Sequence, residues 1–115
     1  MDLDFRKSNS VIIIELGGKI MGGSDSAKFF EHLETWLQEG FQRFVIDLGR
    51  VHWMNSSGLG ILIRALKTIR ERQGSLKLAR LTQKIRDILT ITKLMLVFRT
   101  YDTVEEAVHS FDKST

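Results

Sequence analysis

Cysteine and proline are both absent from this 115-residue chain, and histidine occurs only three times. The lack of cysteine excludes disulfides, thiolate metal sites and catalysis by a thiol, and it is typical of proteins in a reducing cytoplasm. His32, His52 and His109 are scattered, without the His-x-x-x-His spacing of a zinc site. We therefore expect no metal and no cofactor.

Long apolar runs are missing as well. The longest ones, such as residues 94–98 (Leu-Met-Leu-Val-Phe), fall far short of the roughly twenty residues needed to cross a bilayer. The N-terminus carries Asp2 and Asp4 and has no apolar core, so it does not read as a secretory signal peptide. These absences predict a soluble cytoplasmic protein with no membrane partner.

The basic excess of the chain is small, with a net charge of +3 and a pI near 9.5. Nucleic-acid binding through a basic helix face with Arg64, Lys67 and Arg70 is one hypothesis. A solvated helix face explains the same charges more simply, so we expect no direct nucleic-acid partner.

The length fits one domain, residues 1–115, which buries about two-thirds of the surface that the unfolded chain exposes. Hydrophobic periodicity predicts an opening hairpin and then alternating strands and helices. This order indicates an α/β fold with a mixed sheet of four to five strands and about four α-helices. Strands are expected at residues 2–8, 11–16, 41–48, 75–81 and 97–100. Helices are expected at residues 27–39, from about 59 to 73, at 82–91 and from 104 onward.

Local signals mark the ends of several elements. Ser24 or Asp25 can cap the first helix, and Gly40 fits a left-handed residue after it. Gly74 is predicted to stop the second helix in the same way. Thr103 opens a Thr-Val-Glu-Glu capping box. The second strand is apolar at consecutive positions, which predicts that both of its faces are covered. The predicted buried stripe of the second helix is Leu59, Leu62, Ile63, Leu66 and Ile69.

Residues 55–60 (Asn-Ser-Ser-Gly-Leu-Gly) stand between the strand at 41–48 and the second helix. Asn55, Ser56 and Ser57 can each act as N-cap, because each carries an oxygen that accepts from first-turn amides. A catalytic serine is not indicated, since Gly-x-Ser-x-Gly is absent and no histidine can be assigned as base. We expect no enzymatic activity, and by themselves these residues most simply form a structural cap.

This motif, together with the preceding residues 45–48 (Val-Ile-Asp-Leu) and 51–54 (Val-His-Trp-Met), resembles the phosphorylation motif of anti-sigma factor antagonists of the STAS family. The resemblance covers the whole chain, because STAS domains open with two strands and place a glycine-bearing segment before the first helix. The usual family order is Asp-Ser-Ser/Thr-Gly-Leu-Gly, and the first hydroxyl residue is the one phosphorylated. That position here is Ser56, with Ser57 as a second candidate.

The resemblance implies a partner-switching protein. The unphosphorylated form would bind an anti-sigma factor that is also a serine kinase, so that the sigma factor is released, and phosphorylation of Ser56 would end that binding. A serine phosphatase usually restores the active form. Asn55 replaces the usual aspartate, so a second interpretation stays open, in which a non-switching STAS scaffold serves as a subunit of a larger signalling or transport complex.

The loops after the second and third strands are expected to share one surface, because α/β proteins tend to bind ligands at the carboxyl ends of parallel strands. Trp53 and Met54 can each belong to the core or to a partner contact. Phe41 or Trp36 could contact a second copy, and we expect a monomer or weak dimer. The predicted partner-binding residues are Met21, Gly22, Gly23, Ser24, Asp25, His52, Trp53, Met54, Asn55, Ser56, Ser57 and Gly58.

Overall fold

The computed structural model describes residues 1–112. This part of the chain contains five strands and four α-helices. The strands are β1 (Asp2–Ser8), β2 (Val11–Ile20), β3 (Arg43–Met54), β4 (Ser75–Ala79) and β5 (Arg99–Tyr101). The helices are α1 (Ser24–Gln38), α2 (Ser56–Glu71), α3 (Gln83–Ile91) and α4 (Val104–Asp112), and a 3₁₀ turn occupies Leu94–Leu96. The predicted α/β fold with a mixed sheet is confirmed.

The strands lie side by side in sequence order, from β1 to β5. β1 and β2 form the predicted antiparallel hairpin, and every later pair is parallel. Ile20 at the end of β2 pairs with Met54 at the end of β3. The loop that leads into α1 and the turn that leads into α2 therefore leave the sheet next to each other.

Helices cover both faces of the sheet. Ile12 and Ile14 of β2 face the main core, which is built with α1, α2 and α3. Val11 and Ile13, on the opposite face, pack in a second cluster with α4. All four residues are buried, which confirms that both faces of this strand are covered.

The first helix begins earlier than predicted, at Ser24. Its N-cap is Gly23, which offers no side chain, so the prediction that Ser24 or Asp25 caps this helix is wrong. Asp25 lies in the first turn, 3.6 Å from the N-terminal amine of Met1. Gly40 follows the helix with φ +96°, and its N–H donates to Leu37, as the left-handed prediction requires.

Two strands continue beyond their predicted ends. Residues 49–54, predicted as a loop, complete β3, and β2 runs on to Ile20. Gly17 and Gly18, which suggest a strand end, instead lie where the register between β2 and β3 shifts, opposite Arg50 and Val51. Glycine inside a strand often marks such a bulge, and the bulges let both strands reach the edge of the sheet.

The buried face of α2 differs from the prediction at several positions. Ile63 is 46% exposed and Leu59 is only half-buried, while Gly58, Ile61 and Ala65 belong to the buried stripe. The predicted stripe consists of large residues, whereas the true one includes glycine and alanine, which carry little hydrophobic signal.

Gly74 is required for a reason other than the predicted one. The left-handed residue after α2 is Gln73, with φ 67°. A Cβ on Gly74 would lie 2.6 Å from the Gln42 carbonyl oxygen and 2.8 Å from the Ile69 side chain. The glycine therefore allows close packing and does not act as a left-handed stop.

The last third of the chain follows the prediction with shifted bounds. Thr82 caps α3 by accepting from the Ile85 N–H at 3.3 Å, so it precedes the helix that was predicted to include it. The 3₁₀ turn delays β5 until Arg99. Thr103 accepts from the Glu106 N–H at 3.0 Å, which confirms half of the predicted capping box.

Candidate functional site

Asn55 is the residue that starts α2. It adopts an extended conformation, and its side-chain Oδ1 accepts from the Gly58 N–H at 2.7 Å. Its carbonyl accepts from the Leu59 N–H at 2.8 Å. Of the three residues that the sequence offers as N-cap, the helix uses Asn55. Ser56 and Ser57 therefore do not cap the helix, and they lie in its first turn.

Gly58 brings the start of α2 into direct contact with the end of β2. A Cβ at Gly58 would lie 2.0 Å from the Ile20 carbonyl oxygen, closer than any real side chain allows. The same Ile20 oxygen accepts from the Asn55 N–H at 3.3 Å. The helix start is therefore fixed to the sheet by a backbone contact, which only glycine permits.

The loop between β2 and α1 packs against the same turn. Gly22 and Gly23 both have positive φ, at 83° and 64°, where other residues are strained. A Cβ on Gly22 would lie 2.7 Å from Ser57 Cβ, whereas one on Gly23 would meet nothing within 4 Å. The structure thus brings residues 21–23 beside the serine turn, as the predicted shared surface requires.

Both serine side chains of this turn are exposed. Within residues 1–112, neither hydroxyl has a hydrogen-bond partner. The N–H groups of Ser56 and Ser57 precede the first intrahelical bond, so they are free to interact with an anion. No acidic residue lies in the first turn. This end of α2 therefore presents two hydroxyls, two amides and the positive end of the helix dipole to solvent.

The other predicted contact residues are distributed unevenly around the serine turn. Met21 is 50% exposed, His52 is exposed and Trp53 is half-buried. Met54 is 4% exposed and belongs to the core, so of the two alternatives for this residue the core is correct. Gly23 and Ser24 are exposed, while Gly22 and Asp25 are half-buried and Gly58 is buried.

Ile63 is a surface residue of this site that the sequence interpretation missed. It lies two helical turns after Ser56, and spacings of three, four and seven place residues on one helix face. Gly60 lies between them, exposed, with open space where a side chain would point. Ser56, Gly60 and Ile63 therefore form one exposed stripe of α2. The spacing between Ser56 and Ile63 can be read from the sequence, although the apolar side chain of Ile63 suggests a core position.

The sequence interpretation also did not identify an ion pair between Asp47 and Arg80. Asp47 is 1% exposed, and its carboxylate accepts from the Gly49 N–H at 3.0 Å and from Arg80 at 3.2 Å. The contact joins β3 to the end of β4. Arg80 has φ 59°, a conformation that non-glycine residues rarely adopt. These contacts stabilise the part of β3 that leads to the serine turn.

Two further classes of site find no support in residues 1–112. No group of three or more potential metal ligands occurs in this part of the chain. Over the same residues, no helix has the length and hydropathy needed to span a membrane.

Comparison with known proteins places this geometry in context. The family model for the STAS domain matches residues 2–107. BtrV of Bordetella bronchiseptica, named as an anti-sigma factor antagonist, is 27% identical over 111 residues, which cover 96% of this chain and 95% of BtrV.

Solved structures share the fold. A crystal structure of a Thermotoga maritima protein of the same description gives a TM-score of 0.84 at 22% identity, covering 94% of this chain and 92% of the other. The Bacillus cell fate determinant SpoIIAA in its phosphorylated form gives a TM-score of 0.75 at 17% identity, covering 96% and 99%.

Proposed function

Because the chain belongs to the STAS domain family, we propose that it is an anti-sigma factor antagonist switched by phosphorylation of Ser56. In the unphosphorylated form it binds an anti-sigma factor that is also a serine kinase, and the sigma factor is released. The observation that carries this proposal is the exposed Ser56 hydroxyl, which has no hydrogen-bond partner in residues 1–112, at the start of a helix whose cap is supplied by another residue.

Phosphate on Ser56 is compatible with the fold. The free amides of the first turn and the helix dipole both attract negative charge. Asn55 is neutral and the first turn contains no acid, so a phosphate carrying about −1.5 to −2 charges meets little repulsion there. The modification therefore alters the surface and leaves the core packing unchanged.

The proposed partner surface consists of Ser56, Met21 in the loop that packs against the serine turn, and the exposed stripe of α2 that ends at Ile63. Met21 and Ile63 are two of the large apolar side chains that stand half or nearly half exposed, and exposed apolar residues around a polar centre are typical of contact sites. A phosphate on Ser56 would place a charge on this surface. In a desolvated interface an unpaired charge costs several kcal/mol, which is enough to release the partner.

A phosphatase completes the proposed cycle. It removes the phosphate from Ser56 and returns the chain to the binding-competent state. The exposure of the Ser56 side chain in the free protein gives both a kinase and a phosphatase direct access to it.

Phosphate incorporation tests the switch. The chain is incubated with ATP and each candidate anti-sigma factor kinase of its source genome, and intact mass and peptide mapping follow. We expect one added phosphate on the wild type and on Ser57→Ala, and none on Ser56→Ala. If no kinase modifies the wild type while a partner binds stably, the non-switching scaffold is the correct interpretation.

Partner binding tests the surface independently of phosphorylation. In the unphosphorylated chain, Ile63→Ser should weaken binding to the anti-sigma factor about tenfold or more, which corresponds to about 1.4 kcal/mol. Ile91→Ser is the matched control, because Ile91 is 81% exposed and lies on a different helix, at the C-terminal end of α3. Equal affinity of the two variants in a titration would exclude Ile63 from the contact surface.

A further inference from the structure

A second concave surface lies at the opposite end of α2 from Ser56. It is a cleft of about 1090 Å³, between the last turns of α2, the residues leading into β5 and the helix α4. Ser56 and Arg70 are separated by about 21 Å along the helix, at 1.5 Å per residue. The cleft is therefore distinct from the proposed partner surface.

Lys77 lies in the floor of this cleft and is only 4% exposed. Its Nζ donates to the Ser110 Oγ at 2.6 Å and lies 4.0 Å from the centre of the Phe111 ring and 5.6 Å from that of Tyr101. Within residues 1–112 no carboxylate forms an ion pair with it. A lysine this buried is usually paired with an acid, so an uncompensated cation here is unusual.

The surroundings of Lys77 add positive charge. Burial lowers the pKa of Lys77, and while Tyr101 opposes this effect, the positive charges of Arg99 and Arg43 lower the pKa further. Arg70 and Arg99 also line the cleft, against the single carboxylate of Glu106. The described part of the cleft therefore has an excess of cationic side chains over acidic ones.

One rim of the cleft is apolar. Leu96 and Val97 line it and are 83% and 44% exposed. Large exposed aliphatic side chains beside a cationic floor suit a ligand that has an apolar portion next to an anionic group.

We propose that this cleft binds a small organic anion, with its anionic group at Lys77 and Arg99 and its apolar portion against Leu96 and Val97. The anion supplies the negative charge that residues 1–112 do not place beside Lys77. Ammonium and guanidinium groups both bind phosphate and carboxylate through charge-assisted hydrogen bonds.

Phenyl phosphate is a suitable probe, because it combines an anion with an apolar ring. Amide chemical shifts are followed by NMR in the full chain at constant ionic strength, with inorganic phosphate and benzyl alcohol as the two partial ligands. We expect saturable shifts around the cleft that are strongest for phenyl phosphate. Equal affinity for benzyl alcohol would overturn the anion site, and equal affinity for inorganic phosphate would overturn the apolar contact.

Lys77→Met should weaken phenyl phosphate binding about tenfold or more, the effect of losing one charge-assisted hydrogen bond. Lys28→Met removes the same charge from an exposed position on α1 and should leave binding unchanged. Arg99→Gln alters an exposed residue and tests the site if the Lys77 variant proves unfolded. Unchanged affinity in both cleft variants would refute the proposal.

Discussion

Replacing Gly58 with alanine is the sharpest test of how the serine turn is positioned. The added Cβ would lie 2.0 Å from the Ile20 carbonyl oxygen and 2.8 Å from its carbonyl carbon. Neither atom belongs to a flexible side chain, so the clash cannot be relieved by a rotamer change. The start of α2 must instead move away from β2, and the hydrogen bond between Asn55 and Ile20 must lengthen.

The loss of stability expected for Gly58→Ala follows from this geometry. The helix must move by at least about 1 Å relative to β2, and overpacking of this kind costs about 1–3 kcal/mol. We take the upper end because two backbone segments are involved, and we subtract about 1 kcal/mol for the higher helix propensity of alanine. The expected loss is about 2 kcal/mol. At about 2.1 cal/mol/K per residue, this lowers the Tm of the chain by about 8 °C.

Gly60 is the matched control in the same helix. A Cβ there meets nothing within 4 Å, so Gly60→Ala should stabilise the protein by about 0.5–1 kcal/mol and raise its Tm by a few degrees. Urea denaturation followed by circular dichroism measures both variants. If Gly58→Ala is as stable as Gly60→Ala, the close contact between α2 and β2 does not position the serine turn.

Three further substitutions test contacts around the two sites, each by urea denaturation. Asn55→Ala should cost about 1 kcal/mol because the N-cap bond to Gly58 is lost, and no cost would exclude the cap. Asp47→Ala should cost about 1–3 kcal/mol, because the Gly49 N–H and Arg80 lose their acceptor, and a neutral result would refute this support of β3. Lys77→Met should stabilise the protein by removing a buried charge. Because the folded-state pKa of Lys77 is lowered, wild-type stability recovers as pH rises through that pKa toward 10.5, and the advantage of methionine should shrink there.

The parts of the fold that the sequence predicts well are those with local causes. The β-branched run of β2, the apolar stripes of the helices and the oxygen-bearing residues before α2 depend on neighbours within a few positions. They identify the elements and the motif at residues 55–60. What the sequence leaves open is which residue of the motif caps the helix, because Asn55 and both serines carry suitable oxygens.

The errors have causes that lie far apart in the chain. Gly17 and Gly18 suggest a strand end, because the bulges opposite Arg50 and Val51 depend on the register with β3. Ile63 suggests the core because its side chain is apolar, whereas the true buried stripe of α2 includes Gly58 and Ala65, which carry little hydrophobic signal. Asp47 and Arg80 are separated by 33 residues and meet only when β3 and β4 pair. Such contacts follow from topology and cannot be read from hydrophobic periodicity.

If the serine turn is phosphorylated as we propose, its packing favours Ser56 over Ser57 as the modified residue. A Cβ added to Gly22 would lie 2.7 Å from the Ser57 Cβ. The loop before α1 therefore packs against Ser57. Ser56 begins the exposed stripe of α2 that ends at Ile63. On the proposed switch, a phosphate on Ser57 would lie against this loop, whereas a phosphate on Ser56 would stand at the start of the exposed stripe that we propose as the partner surface. Gly22 and Gly58 therefore allow close packing around the turn while the Ser56 side chain stays exposed, an arrangement that suits the surface switch that we propose.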